Sequence, residues 1–96
     1  MKFQELMDKD VFVENMKIGQ IKDVVIDTEE WKITHLEIEL TKDVAESVLG
    51  ARKGGVRNML AATALKKGVA RWTDQGLHLK VSKDQLHMYL RPVVET

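Results

Sequence analysis

Apolar and polar residues alternate along the stretch from residue 18 to residue 40, which carries the clearest pattern in the chain. In the second half of this stretch, every second residue from Leu36 to Leu40 is apolar, as in a strand with one buried face. In the first half, residues 24–26 form an uninterrupted apolar run, which is typical of a strand that is buried on both faces or bent by a bulge. A polar turn over residues 28–32 joins the halves, so the stretch predicts a β-hairpin.

The residues before the hairpin predict two further elements. Residues 3–7 can form one helical turn whose apolar side chains cover the core, and Val11–Val13 reads as a first strand. We expect Gly19 to turn the chain into the next strand, because glycine tolerates a positive φ. All connections are short, so the first three strands are predicted to form an antiparallel meander.

After the hairpin the apolar spacing becomes helical. Thr41 or Asp43 can begin a first helix, and Val56–Lys67 has alanines and apolar residues at helical spacing. Together they predict a helical insertion over about residues 42–67, with the basic, glycine-containing segment 52–55 inside it. The spacing leaves open whether the insertion holds two helices or a mobile loop around one.

A second hairpin and a terminal helix are predicted to close the chain. The two arms are Val69–Trp72 and Leu77–Val81, joined by a polar turn. Ser82–Gln85 matches a capping box that begins a helix, and Pro92 marks its end. We therefore expect an α+β fold in a single domain spanning residues 1–96.

Composition narrows the class of protein. There is no cysteine, so the chain offers neither disulfides nor zinc–thiolate ligands. No apolar run is long enough to span a bilayer, and the first residues do not follow the basic-then-apolar pattern of a signal peptide. These features predict a cytoplasmic protein without direct membrane insertion.

Charge is divided unequally between the two halves of the sequence. Residues 1–48 hold six lysines and twelve acids, a net charge of −6, whereas residues 49–96 hold nine basic residues and three acids, a net charge of +6. Opposed charges of equal size favour self-association or pairing with a similar partner. The alternative is that the halves interleave in the fold, so that their fields cancel.

Catalytic patterns are lacking in the sequence. The histidines, at positions 35, 78 and 87, do not follow a metal-ligand motif and read as isolated surface imidazoles. Neither serine lies in a nucleophile elbow, and the glycines do not match a phosphate-binding loop. We predict a non-enzymatic protein with no cofactor and no metal site.

Trp31 is the most suggestive candidate for binding, because it lies at the polar tip of the central hairpin. Such a residue either packs back over the edge of the sheet or contacts a partner, and tryptophan is enriched at interface hot spots. In the second case, Glu37 and Glu39 would give the contact an acidic rim.

A second group of candidates is basic and follows the hairpin. Arg52, Lys53 and Arg57 begin a basic region, and Trp72 is the aromatic residue nearest to it. Phosphate contacts and base stacking need such groups, but a sequence pI near 6.8 argues against a dedicated nucleic-acid binder. A solvated helix surface or a docking site for an acidic protein remains, and Met59 lies on an apolar helical stripe that would extend a dimer interface.

The central stretch resembles the PRC-barrel domain family, named for the cytoplasmic domain of the photosynthetic reaction-centre H subunit. The family pattern is a glycine before a strand of the form G-x-[IV]-x-D-[IV]-[IV]-[IV]-D, followed by a strand with L-x-[IV]. Gly19 to Asp27 matches the first part, and Leu36 to Ile38 matches the second. The resemblance implies a small, six-stranded, mostly antiparallel PRC-type β-barrel, here with the helical insertion and the C-terminal helix. The insertion departs from compact members, which have a short loop there.

The resemblance also implies a function in assembly. The chain looks most like the stand-alone archaeal PRC-barrel proteins, some of which act in cell division. The resemblance implies a scaffold that self-associates as a homodimer or larger assembly. It also implies binding to the membrane-anchoring adaptor of the tubulin-like division ring or to a second PRC-barrel protein. Recruitment to the division site would then come through a partner. The alternative is a ribosome-maturation or RNA-assembly factor that uses the basic insertion.

Overall fold

A computed structural model describes residues 2–49 and 57–92 of the chain. Its strands are β1 (Asp10–Val13), β2 (Met16–Asp27), β3 (Lys32–Leu40), β4 (Arg57–Ala61), β5 (Ala70–Thr73), β6 (Gly76–Leu79) and β7 (Leu90–Pro92). Its α-helices are α1 (Phe3–Leu6), α2 (Lys42–Leu49) and α3 (Ala62–Ala64). A turn at Leu65–Val69, in which Gly68 has a left-handed φ of +75°, and a 3₁₀ helix at Lys83–Met88 complete the described elements.

The strands form one sheet in the order β5-β6-β1-β2-β3-β4-β7. Between the described strands only the β1–β6 pairing is parallel, so the sheet is mixed and mostly antiparallel. The sheet is open, because closing a barrel requires its edge strands to pair, whereas β5 and β7 each pair with a single neighbour. The α+β, β-rich character is therefore confirmed, and the closed barrel is not found in the described part of the chain.

The predicted meander is present as β1, β2 and β3. Glu14 and Asn15 form the two-residue turn between β1 and β2, and both have a positive φ, as a type I′ hairpin turn requires.

The structure requires a glycine at position 19, but not for the reason that we predicted. Gly19 lies inside β2 rather than at a turn, and a Cβ built there would overlap the carbonyl oxygen of Glu39 on β3. Close approach of two backbones, not a positive φ, requires glycine at this position.

The core lies on one face of the sheet and follows the period of two that the sequence showed. On β3, Leu36, Ile38 and Leu40 are buried, while the residues between them are half-buried on the outer face. Residues from all parts of the described chain join this cluster: Val11, Val13, Ile18, Ile21, Val44, Ala45, Leu60, Leu77, Leu79, Val81, Leu86 and Leu90.

The helical insertion is only partly confirmed. Thr41 precedes α2 as predicted, and its Oγ1 accepts a hydrogen bond of 3.4 Å from the backbone N–H of Val44. Residues 57–61, however, form the strand β4 instead of a helix, with Asn58 and Leu60 buried at alternate positions. Pairing with strands on both sides outweighs the helical propensity of this segment. The predicted flexible segment 52–55 lies outside the described residues.

The C-terminal helix is shorter than predicted. The capping box of Ser82 and Gln85 is present, but it begins a six-residue 3₁₀ helix. The chain then returns to the sheet as β7, where Leu90 pairs with Leu60 and both side chains are buried. Burial of Leu90 against β4 explains why the chain pairs as a strand before Pro92 instead of continuing a helix.

Candidate functional site

The end of the β2–β3 hairpin, residues 25–33, is the most distinctive surface that the structure describes, and we call it the hairpin end. Its tip is a four-residue loop between the paired residues Asp27 and Lys32. The Asp27 carboxylate accepts hydrogen bonds from the backbone N–H groups of Glu29 (2.9 Å) and Glu30 (3.4 Å). Lys32 forms an ion pair of 2.7 Å with Glu30. These contacts fix the loop, so the tip has a defined shape.

Trp31 occupies the last position of this loop, and its side chain is 79% exposed. Of the two interpretations that the sequence left open, packing back over the sheet edge is therefore wrong. The backbone of Trp31 also has φ +54°, a left-handed conformation that costs an L-residue about 1–2 kcal/mol and is rare for bulky side chains. The tip thus holds a large apolar group in water, in a backbone conformation that suits glycine or asparagine better.

Other exposed apolar side chains gather at the same place. Seven large hydrophobic residues in the described part of the chain are at least 37% exposed, and four of these belong to the hairpin end: Val25, Ile26, Trp31 and Ile33. The apolar run at residues 24–26 is therefore not buried on both faces, and the register shift between Val25 and Ile26 bears out the alternative, a strand bent by a bulge. Since the core does not extend to this end of the hairpin, only Val24 packs against it.

A groove of about 230 Å³ runs beside the hairpin end, between the first residues of β3 and the start of α3. Seven residues line it, from the start of β3, the end of β4 and the start of α3: Lys32, Ile33, Thr34, His35, Ala61, Ala62 and Thr63. The Thr34 hydroxyl donates to the carbonyl oxygen of Val25 (3.3 Å) and lies 3.0 Å from His35 Nδ1. In the tautomer of His35 that carries its proton on Nδ1, the ring donates to Thr34 while the hydroxyl donates to Val25.

His35 is therefore more than the isolated surface imidazole that the sequence indicated. The residue is half-buried and its ring is hydrogen-bonded to Thr34, and in the tautomer protonated on Nδ1 the Nε2 atom is left as a hydrogen-bond acceptor. Sequence reasoning missed His35 and the groove, because the groove depends on where β4 ends relative to β3.

Glu37, Glu39 and Arg57 were predicted as separate candidates, and the structure brings them together. Arg57 Nη1 lies 3.1 Å from Glu37 Oε1, and Arg57 Nε lies 3.2 Å from Glu39 Oε2. Both carboxylates are thus paired on the outer face instead of forming a free acidic rim. Met59 lies directly opposite Glu37 on β4, half-buried on a strand and not on a helical stripe.

The other predicted candidates are not gathered around this site. Trp72 packs against the core from the edge strand β5, so its indole is not a free stacking surface. Arg52 and Lys53 lie outside the described residues. Of the basic cluster that the sequence indicated, Arg57 is already paired with two carboxylates.

A second depression, of about 150 Å³, lies between α2 and the 3₁₀ helix and is lined by Ser47, Lys83, Asp84 and His87. Serine, aspartate and histidine are the residue types of a hydrolase triad, yet Ser47, Asp84 and His87 are all exposed. No hydrogen bond found among the described residues joins Ser47 to His87, whereas an activated nucleophile needs that contact.

The charged groups of the described chain are otherwise arranged as surface pairs. Asp10 at the start of β1 accepts a hydrogen bond from Gln20 (3.2 Å) and pairs with Lys17 (3.1 Å). The Gln20 hydrogen bond, together with the Lys17 ammonium, holds the pKa of the Asp10 carboxyl below its usual value. Across residues 2–49 and 57–92, acidic and histidine side chains do not gather in threes as a metal site requires. Over the same residues, each helix is too short or too polar to cross a bilayer.

Comparison with protein families matches the model of the PRC-barrel domain to residues 1–55, more than half of the chain. The matched part contains β1, β2, β3 and α2, and so includes the whole hairpin end. No curated protein sequence matches the chain. The chain belongs to the PRC-barrel domain family.

Proposed function

We propose that this protein is a non-enzymatic adaptor that binds other protein chains, copies of itself included, through the hairpin end. The observation that carries the proposal is Trp31, which is 79% exposed in a left-handed backbone conformation. Desolvating this side chain in an interface would offset both its exposure to water and its backbone strain.

The neighbours of Trp31 support the same reading. Val25, Ile26 and Ile33 add apolar surface around a tip whose loop is already ordered by Asp27. Ordered aromatic anchors bind well because little conformational freedom is lost on binding. Self-association is further supported by the edge strands β5 and β7, each of which pairs with a single described neighbour.

Arg57 favours a protein partner over the alternative of an RNA-assembly factor. Its guanidinium is engaged by Glu37 and Glu39, so contact with a phosphate would compete with two ion pairs. Exposure of Ser47, Asp84 and His87 likewise supports a binding role more than catalysis.

The biological setting that we propose is archaeal cell division, with the membrane-anchoring adaptor of the division ring or a second PRC-barrel protein as partner. This part of the proposal rests on the likeness of the chain to stand-alone archaeal members of the family, whereas the pattern in residues 19–38 is that of the family as a whole. In that setting the protein is cytoplasmic and reaches the division site through its partner.

Sedimentation velocity over a range of protein concentrations, at low and high salt, tests the adaptor function. We expect dimers or larger species that grow with concentration and are weakened by the Trp31→Ala substitution. Met88→Ala is the matched control, because Met88 is also an exposed large hydrophobic residue (62%) but is not part of the hairpin end. A protein that stays monomeric at every concentration and salt, or one in which both variants behave alike, would contradict the proposal.

A further inference from the structure

We propose that the hairpin end recognises an extended, basic segment of a partner protein, which pairs with the free side of β3 and places an apolar side chain in the groove. The inference rests on the proposed adaptor function and specifies what kind of chain the adaptor binds. Three features of the described structure carry it: an incomplete strand pairing, a groove of side-chain size, and an acidic surrounding.

The strand pairing of β3 is incomplete on the side of β4. The register between them begins with His35 opposite Ala61, after which the chain leaves the sheet as α3. Among the residues that the structure describes, residues 32–34 therefore have a neighbouring strand, β2, on one side only. A strand edge of this kind presents backbone N–H and C=O groups to which an extended segment can add.

The groove beside this edge can receive one side chain. Its volume is about 230 Å³, and a cavity of about 150 Å³ already holds a benzene ring. Ile33, Ala61 and Ala62 give it apolar walls, while His35 Nε2, in the tautomer protonated on Nδ1, can accept a hydrogen bond from an N–H of the segment. An aliphatic or aromatic anchor fits such a site better than a charged one.

The charge of the hairpin end selects a basic segment. The hairpin end holds three carboxylates, on Asp27, Glu29 and Glu30, and one ammonium, on Lys32, giving a net charge of −2. Complementary charges at the rim of an interface steer the encounter and reject partners of the same sign. An acidic segment would meet repulsion here.

The spacing of the recognised residues follows from the extended conformation. Successive side chains of a strand point to opposite sides, so residues that contact the same surface are two positions apart. A helical partner would show spacings of three and four residues instead. The two modes of recognition can therefore be told apart from the sequences that bind.

Selection from a library of random peptides, each about ten residues long as in a long strand, tests the inference on the whole protein. We expect selected peptides to carry lysine or arginine together with apolar residues two positions apart. A synthetic peptide with the selected sequence should bind at least about tenfold more weakly to Ala62→Trp, which fills the groove, and to Glu29→Lys, which reverses a rim charge. Binding to Met88→Ala should be unchanged, and the melting temperature of each variant reports whether it is folded.

Several results would overturn the inference. One is that no motif is enriched, and another is that the enriched motif is acidic or has apolar residues at helical spacing. A third is a selected peptide whose affinity is unchanged by both Ala62→Trp and Glu29→Lys. Because Glu29 is exposed, its variant remains informative if Ala62→Trp fails to fold. A protein that self-associates in a Trp31-dependent manner but selects no such peptide would keep the adaptor function and lose only this inference.

Discussion

At the scale of single residues, we expect Trp31 to be important for binding but not for the stability of the fold. Its exposed side chain adds little to the fold, and its left-handed backbone costs about 1–2 kcal/mol. The other tryptophan, Trp72, packs against the core, so we expect it to contribute to stability instead. The sequence could place Trp31 at a hairpin tip but could not show which way its side chain lies, since that depends on where the core ends.

Replacing Trp31 by glycine tests this separation. The relief of backbone strain is offset by the greater freedom of glycine in the unfolded chain, so we expect the free energy of unfolding to change by no more than about 1 kcal/mol. Association should be lost. Trp72→Ala is the matched substitution, and we expect it to lower the free energy of unfolding by about 2 kcal/mol, because it removes an aromatic group that packs against the core. Urea unfolding of both variants gives the two values, and equal losses would contradict the assignment.

Asn58 is the buried polar residue on the core face of β4. It is fully buried, and neither its Oδ1 nor its Nδ2 has a hydrogen-bond partner among the described residues. A buried polar group without a partner costs about 1–3 kcal/mol. We therefore expect Asn58→Val, which keeps a residue suited to a strand, to raise the free energy of unfolding by about 1 kcal/mol. Chemical denaturation measures the change, and a loss of stability would show that the amide is hydrogen-bonded in solution.

At the scale of elements, the Arg57 ion pairs join β3 to β4. Arg57 lies directly opposite Glu39, which explains one of its two contacts, and the other is a diagonal contact with Glu37. The three residue types were visible in the sequence, but their meeting was not, because residues 56–67 read as a helix. Only the strand pairing of β4 places Arg57 beside both carboxylates.

A double-mutant cycle with Arg57→Met and Glu37→Gln measures this link. For a half-exposed pair we expect a coupling energy of about 0.5–1 kcal/mol at low salt, decreasing as salt is added. The same cycle with Lys32 and Glu30, a pair confined to the hairpin end, is a suitable control. Strictly additive effects of Arg57→Met and Glu37→Gln would show that the pair does not tie the strands together.

Asp10, which joins β1 to β2 through its contacts with Lys17 and Gln20, makes the stability of the protein depend on pH. Its pKa is lowered in the folded protein by the Gln20 hydrogen bond and by Lys17, so its ionised form favours folding. This contribution is present above the usual aspartate pKa of about 3.9 and is lost as the pH falls through the lower folded pKa. The stability difference between the natural protein and Asp10→Asn should thus be largest above about pH 5 and should shrink below about pH 4. Unfolding curves over this range test the sign, and a difference that grows in acid would contradict it.

The elements also show how far local pattern carries. The alternation in residues 35–40, the capping box at Ser82 and the polar turn of the second hairpin each predicted the local structure correctly, because each signal lies within a few neighbouring residues. Strand β4 was not predicted, since it gains its stability from β3 and β7, which are distant in sequence. The groove shares this origin, because it lies where β4 ends before it reaches the first residues of β3.

At the scale of the whole molecule, the two halves of the sequence interleave in one sheet. The acidic first half supplies the central strands β1, β2 and β3, and the basic second half supplies the strands on both sides. Of the five ion pairs between described residues, the two made by Arg57 join the halves. The family resemblance predicted the central strands well, whereas the open ends of the sheet depend on the flanking strands, which lie outside the matched residues 1–55.

The emission of Trp31 tests the central claim, that the hairpin end is the surface to which other protein chains bind. The substitution Trp72→Phe leaves Trp31 as the sole tryptophan. Its emission spectrum and its quenching by iodide can then be followed as the protein concentration rises, with sedimentation reporting the size of the species. We predict water-like emission and full quenching in the monomer, and a blue shift with protection from iodide in the associated form. Association that leaves Trp31 fully quenchable would contradict the account.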